Sequence, residues 1–70
     1  MRRHHVRSSG LRSVGYDERS SMLEVEFVNG HVYRYFAVPK AKFEALLSAD
    51  SVGSYFNANI RERFPTQALK

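Results

Sequence analysis

The chain has no cysteine, only two prolines and four glycines in 70 residues, and no long apolar run. Without cysteine no disulfide can staple it. No stretch approaches the ~20 apolar residues of a membrane span. The start, MRRHHVRSSG, is basic, but no apolar run follows it, so no signal peptide is expected and the expected compartment is cytoplasmic. The histidines are His4, His5 and His31, too few and too poorly spaced for a four-ligand zinc site. No metal and no cofactor is expected. No serine lies in a strand–elbow–helix motif, and no histidine–carboxylate pairing is implied. Catalysis is not expected. A domain of this size has little room for a ligand pocket, so no small-molecule substrate is expected.

What is present is aromatic and basic. Five Phe and four Tyr must supply much of the core, since each buries ~150–250 Å². A chain this short buries only ~60% of its unfolded surface. A homodimer is the other route to buried area. The net charge is +4, with Arg2, Arg3, Arg7, Arg12 and Arg19 set against Asp17 and Glu18 in residues 1–21. A basic balance points weakly to nucleic acid. The chain divides into a flexible basic arm over 1–7, one domain over 8–65 and a tail over 66–70.

Val14-Gly15-Tyr16 forms a short strand core, followed by a polar turn over 17–21. Leu23, Val25 and Phe27 alternate with Glu24 and Glu26, the period of a half-buried strand. Asn29-Gly30 reverses the chain, and Val32 to Phe36 return. A two-residue loop would set Arg34 opposite Val25, among apolar side chains, where a guanidinium lacks a partner. A three-residue loop, Val28-Asn29-Gly30 with Gly30 left-handed, shifts the pairing by one. Leu23, Val25, Phe27, Tyr33 and Tyr35 then share one face, and Glu24 meets Arg34 on the other. The three-residue loop is the expected one, which makes Tyr33 and Tyr35 core residues rather than exposed stacking platforms.

Two helices follow. Pro39 suits a helix entry, and Phe43, Leu46 and Leu47 form one apolar stripe. Asp50 or Ser51 caps a second helix whose stripe is Val52, Tyr55, Phe56, Ile60 and Phe64, closed by Pro65. The expected fold is α+β: a three-stranded antiparallel β-meander followed by two short helices packed on one face.

Val14-Gly15-Tyr16-Asp17, Leu23-x-Val25-x-Phe27-x-x-Gly30, Tyr33-x-Tyr35, Val38-Pro39 and Ala49-x-Ser51-x-Gly53-x-Tyr55-Phe56-Asn57-x-x-Ile60-Arg61 together resemble the KTSC domain family. That family is named for a short domain at the C-terminus of some lysyl-tRNA synthetases, and it also forms stand-alone bacterial proteins. The resemblance spans roughly residues 8–64. It implies the same small fold, with Tyr33 and Tyr35 as the family's structural motif, and its synthetase context suggests RNA.

The residues themselves offer one candidate surface. Ser51, Gly53 and Ser54 stand at a helix start, where unpaired N–H groups and the dipole favour an anion. Arg61 and Arg63 lie on the polar side of that helix. Lys40 and Lys42 open the helix before it, and with Arg12 they complete a candidate phosphate-facing patch. Asn57 and Asn59 are further candidate donors. The competing reading is a capped, closely packed helix beneath a solvated surface. Two functions follow: weak, non-specific RNA binding through helices and arm, or a protein-interaction module working through the sheet face or a homodimer. Glu24 and Glu26 on the outer sheet face would turn RNA towards the helices.

Overall fold

The computed structural model describes residues 2–70. The elements are β1 (Arg3–His5), β2 (Leu11–Asp17), β3 (Met22–Phe27), β4 (Val32–Tyr35), α1 (Lys40–Ser48), α2 (Val52–Asn59) and β5 (Thr66–Ala68). All five strands form one antiparallel sheet whose spatial order repeats the chain order. The α+β class and the two helices agree with expectation. The strand count does not, because both chain ends add a strand to the meander.

The arm expected over 1–7 contains β1, with Arg3, His4 and His5 opposite Gly15, Val14 and Ser13; residue 1 lies outside the described residues. The tail expected over 66–70 contains β5, with Thr66, Gln67 and Ala68 opposite Tyr35, Arg34 and Tyr33. Backbone bonds extend that pairing at both ends: Phe36 N to Pro65 O is 2.9 Å and Leu69 N to Val32 O is 2.8 Å. Both additions cap edges that would otherwise leave a row of unpaired N–H and C=O groups.

The hairpin takes the three-residue loop. Leu23 lies opposite Tyr35, Glu24 opposite Arg34, Val25 opposite Tyr33 and Glu26 opposite Val32. Phe27 N donates to His31 O at 2.9 Å and Gly30 N to Phe27 O at 3.0 Å, which closes the loop. Gly30 has φ +93°, a region that penalises a Cβ. Nothing lies within 4 Å of a Cβ built there, so backbone strain alone acts. Gly30→Ala is expected to lower stability by ~1–2 kcal/mol, read as a lower urea midpoint at unchanged m-value.

Rungs that share a face follow from the register. Val14–Val25–Tyr33 and Tyr16–Leu23–Tyr35 point towards the helices. Leu11 rejoins that face opposite Phe27, because a bulge between Leu11 and Ser13 absorbs Arg12. Leu46 of α1, Val52 and Phe56 of α2, and Ile60 beyond it complete one core with Leu11, Val14, Leu23, Val25, Tyr35 and Val38. Phe43 is half-buried and stacks on Tyr16, with centroids 4.9 Å apart and planes 11° apart. The Tyr16 hydroxyl donates to Val38 O at 2.6 Å.

Two details differ from the sequence reading. Leu47 is exposed, because the core above α1 is already filled by Leu46 and Phe43. The second helix stops at Asn59 rather than running to Phe64. Ile60 and Arg61 both donate to Phe56 O, at 2.9 and 3.0 Å. That shared acceptor ends the α-helical ladder and turns the chain towards β5.

Candidate functional site

The helices cover only part of the inner sheet face. At the end carrying Leu11, Phe27 and Tyr33 they leave an open groove of about 630 Å³. The groove is larger than expected of a domain with little room for a ligand pocket. The groove exists because three backbone segments rise around that end of the sheet. These are the Arg7–Gly10 loop, the Asn29–His31 turn and the start of α2 from Asp50 to Ser54. Its floor is aromatic: Phe27, Tyr33, Tyr35 and Phe56. Phe27 meets Tyr33 edge-to-face at 5.6 Å, and Phe56 meets Tyr35 the same way at 5.4 Å.

Each wall has a local cause. Ser51 is the N-cap of α2, its hydroxyl accepting from Ser54 N at 3.2 Å. Asp50, the alternative cap, instead lines the groove. The first intrahelical bond runs from Tyr55 N to Ser51 O, so the N–H groups of Val52 and Gly53 precede the ladder. On the facing wall the Ser8 hydroxyl accepts from Gly10 N and Leu11 N, at 3.2 and 3.3 Å, and pins that loop. A Cβ on Gly53 would meet the Ser8 Oγ at 3.2 Å. Gly53 thus lets α2 approach the opposite wall.

Of the candidate residues, Ser51, Gly53, Ser54 and Arg61 line the groove, and so does Asn57. Arg12, Lys40, Lys42 and Arg63 do not line it. Lys40 Nζ lies 2.6 Å from Glu18 Oε1, and that bond and charge raise its pKa. Lys42 reaches Asn59 Oδ1 at 3.5 Å, and Asn59 donates to Tyr55 O. Arg12 donates to Val28 O at 3.3 Å and lies 3.9 Å from Glu26. Arg63 is exposed beyond the end of α2. The groove instead gains Arg7, Asn29 and His31, loop residues remote in sequence. Tyr33 is half-buried, so it is a core-face residue with one flank open to the groove. Its neighbour on β5 is Ala68, too small to cover that flank.

The outer sheet face is not the acidic surface its sequence suggests. Glu24, only 8% exposed, accepts from Arg3 and from Arg34 Nε at 3.0 Å. Glu26 accepts from the Ser13 hydroxyl at 2.8 Å and lies within 3.5 Å of Arg3. Three arginines (3, 12 and 34) thus meet two glutamates (24 and 26). The face carries no excess negative charge to repel a polyanion. Burial raises the Glu24 pKa, but the hydrogen bonds and charges of Arg3 and Arg34 outweigh it, and the carboxyl ends below its ordinary value. Among the described residues no cluster of His, Cys, Asp or Glu is placed to hold a metal ion. No helix among them is long and apolar enough to cross a membrane.

A family model described as the KTSC domain matches residues 7–64. An uncharacterized protein of Stutzerimonas stutzeri is 54% identical over 57 residues, 81% of this chain and 80% of its own length. A lysine–tRNA ligase of Nostoc punctiforme is 36% identical over 61 residues, which make up 87% of this chain but 11% of the ligase. Among solved structures, the crystal structure of a KTSC domain protein from Yersinia pestis superposes with a TM-score of 0.92 at 34% identity. That match covers 99% of this chain and 97% of the other. In sequence and in fold alike, the chain belongs to the KTSC domain family.

Proposed function

We propose that this domain binds RNA weakly and with little base preference, through the groove and its basic rim. The observation that carries this reading is the convergence of Arg7 and Arg61 on one groove with an aromatic floor and the start of α2. Guanidinium groups hold phosphate, and the half-open flank of Tyr33 can accept any base. The paired charges of the outer sheet face remove the repulsion expected there. The similarity to part of lysine–tRNA ligases supports RNA as the polyanion.

The test is a fluorescence titration of a short unstructured RNA at two salt concentrations. Micromolar or weaker affinity is expected, with log K falling by ~0.7 per phosphate contact for each unit of log salt. The double variant Arg7→Ala, Arg61→Ala should weaken binding and flatten that slope by about two contacts. Arg63→Ala, outside the groove, should change little. Absence of binding even at low salt would transfer the function to a protein-interaction module.

A further inference from the structure

Tyr35 carries an observation that the RNA reading does not use. Its ring is 2% exposed, locked in the core against Phe56. Yet its hydroxyl has no hydrogen-bond partner among the described residues. No fully buried polar side-chain atom among the described residues lacks a partner, so that hydroxyl keeps some exposure, and Tyr35 lines the groove. A phenol so thoroughly buried normally has a partner for its O–H. By contrast the Tyr16 hydroxyl, on the same rung, is satisfied by Val38 O.

The surroundings define what fits. Burial pushes the Tyr35 pKa up against the opposing pull of the Arg61 charge, so at neutral pH the hydroxyl is a donor. Arg61 lines the groove with Tyr35 and its charge acts on that hydroxyl, while Asp50 is the one carboxylate in the lining. Tyr33 offers a half-open flank on the same floor. The cation beside a hydroxyl donor suits an anion and the flank suits a planar ring, within a volume of about 630 Å³. An inorganic anion would use only the first.

From this geometry we infer that the groove is a pocket for one nucleotide, its phosphate taking the Tyr35 hydroxyl and Arg61, its base lying against Tyr33. The inference deepens the RNA reading and rests on it for the source of the nucleotide, as a unit of a chain. The same chemistry is offered by a free mononucleotide, and the experiment separates the two.

The wild-type protein and Tyr35→Phe are titrated with 5′-AMP, adenosine, inorganic phosphate and a short oligouridylate, following amide and aromatic NMR signals. Tyr35→Phe removes one oxygen and leaves the packed ring, so its thermal midpoint should stay within a few degrees of wild type. The expected result is that 5′-AMP and the oligomer both shift Gly53 and Tyr33 signals, more strongly than adenosine or phosphate. Tyr35→Phe should weaken both about tenfold, the scale of one hydrogen bond to a charged group. If the oligomer binds with a salt slope that depends on Arg7 and Arg61, but equally well to Tyr35→Phe, the nucleotide pocket is wrong and the RNA reading survives. If 5′-AMP binds through Tyr35 and the oligomer does not, the pocket stands with a free nucleotide as its occupant and the RNA reading fails. If neither binds, both fail.

Discussion

Phe56→Ala should unfold much of the population. Phe56 is 1% exposed and is among the largest fully buried side chains. It meets Phe27 at 5.6 Å and Tyr35 at 5.4 Å, both edge-to-face. Its removal deletes two aromatic contacts and leaves a cavity between α2 and the sheet, which costs ~3–5 kcal/mol. A domain of this size has only ~5–15 kcal/mol in hand, and small ones sit at the lower end. Each kcal/mol corresponds to about 4–8 °C, so the thermal midpoint should fall by at least ~12 °C. Circular dichroism would record it, and a midpoint within a few degrees of wild type would show that α2 is not anchored by this ring.

Glu24 gives the second large effect, and it depends on pH. Its carboxylate ties Arg3 of β1 to Arg34 of β4 across the outer face. Removing it by Glu24→Ala strips Arg34 of its carboxylate partner and leaves Arg3 with Glu26 alone. Both are about one-third exposed, so water recovers part of the loss, and ~1–3 kcal/mol is expected rather than the full cost of a broken buried pair. The folded carboxyl titrates below its ordinary 4.5. A lowered folded pKa means that the unfolded chain binds the proton first. The stabilisation is therefore complete above the unfolded value and is lost as pH falls through the folded one. The gap in urea midpoint between wild type and Glu24→Gln should be widest at neutral pH and narrow progressively as the pH is lowered below 4.5. A gap that stays constant on acidification would assign the effect to packing instead of charge.

The hairpin was legible because two constraints agreed. The period of Leu23, Val25 and Phe27 fixed a face, and only one register kept Arg34 off it and put it against Glu24. The edge strands were not legible for the opposite reason. Arg3-His4-His5 and Thr66-Gln67-Ala68 show no alternation of apolar residues, and β5 is exposed along its whole length. Such segments are held by backbone pairing to a neighbour and, in β1, by Arg3 reaching Glu24. Their strand character belongs to the partner as much as to their own residues. The end of α2 was misplaced because Ile60 and Phe64 kept a helical period while the backbone had already turned at Phe56 O.

The site divides in the same way. Ser51, Gly53 and Ser54 were recognisable because a cap has a local signature. Arg61 was expected on the polar side of α2 but lies two residues past its end, and lines the groove from there. Arg7 and His31 were not found, since nothing in a linear pattern says which loops rise at the same end of a sheet. Lys40, Lys42 and Arg12 share the basic character of the candidates, but each already has a partner elsewhere. Charge alone did not separate them.

The sheet's strand order, identical to the chain order, bears on how the domain assembles. β1 to β4 zip by successive neighbouring contacts, for which the entropy of loop closure is small. Only the β4–β5 pairing must wait for a long excursion, because residues 36–65, with both helices, lie between its strands. That closure secures the last strand against Tyr33 and Tyr35, the floor of the groove. The floor residues on β4 thus gain their last strand neighbour through the least local pairing of the sheet, and local opening of β5 would uncover that edge of β4.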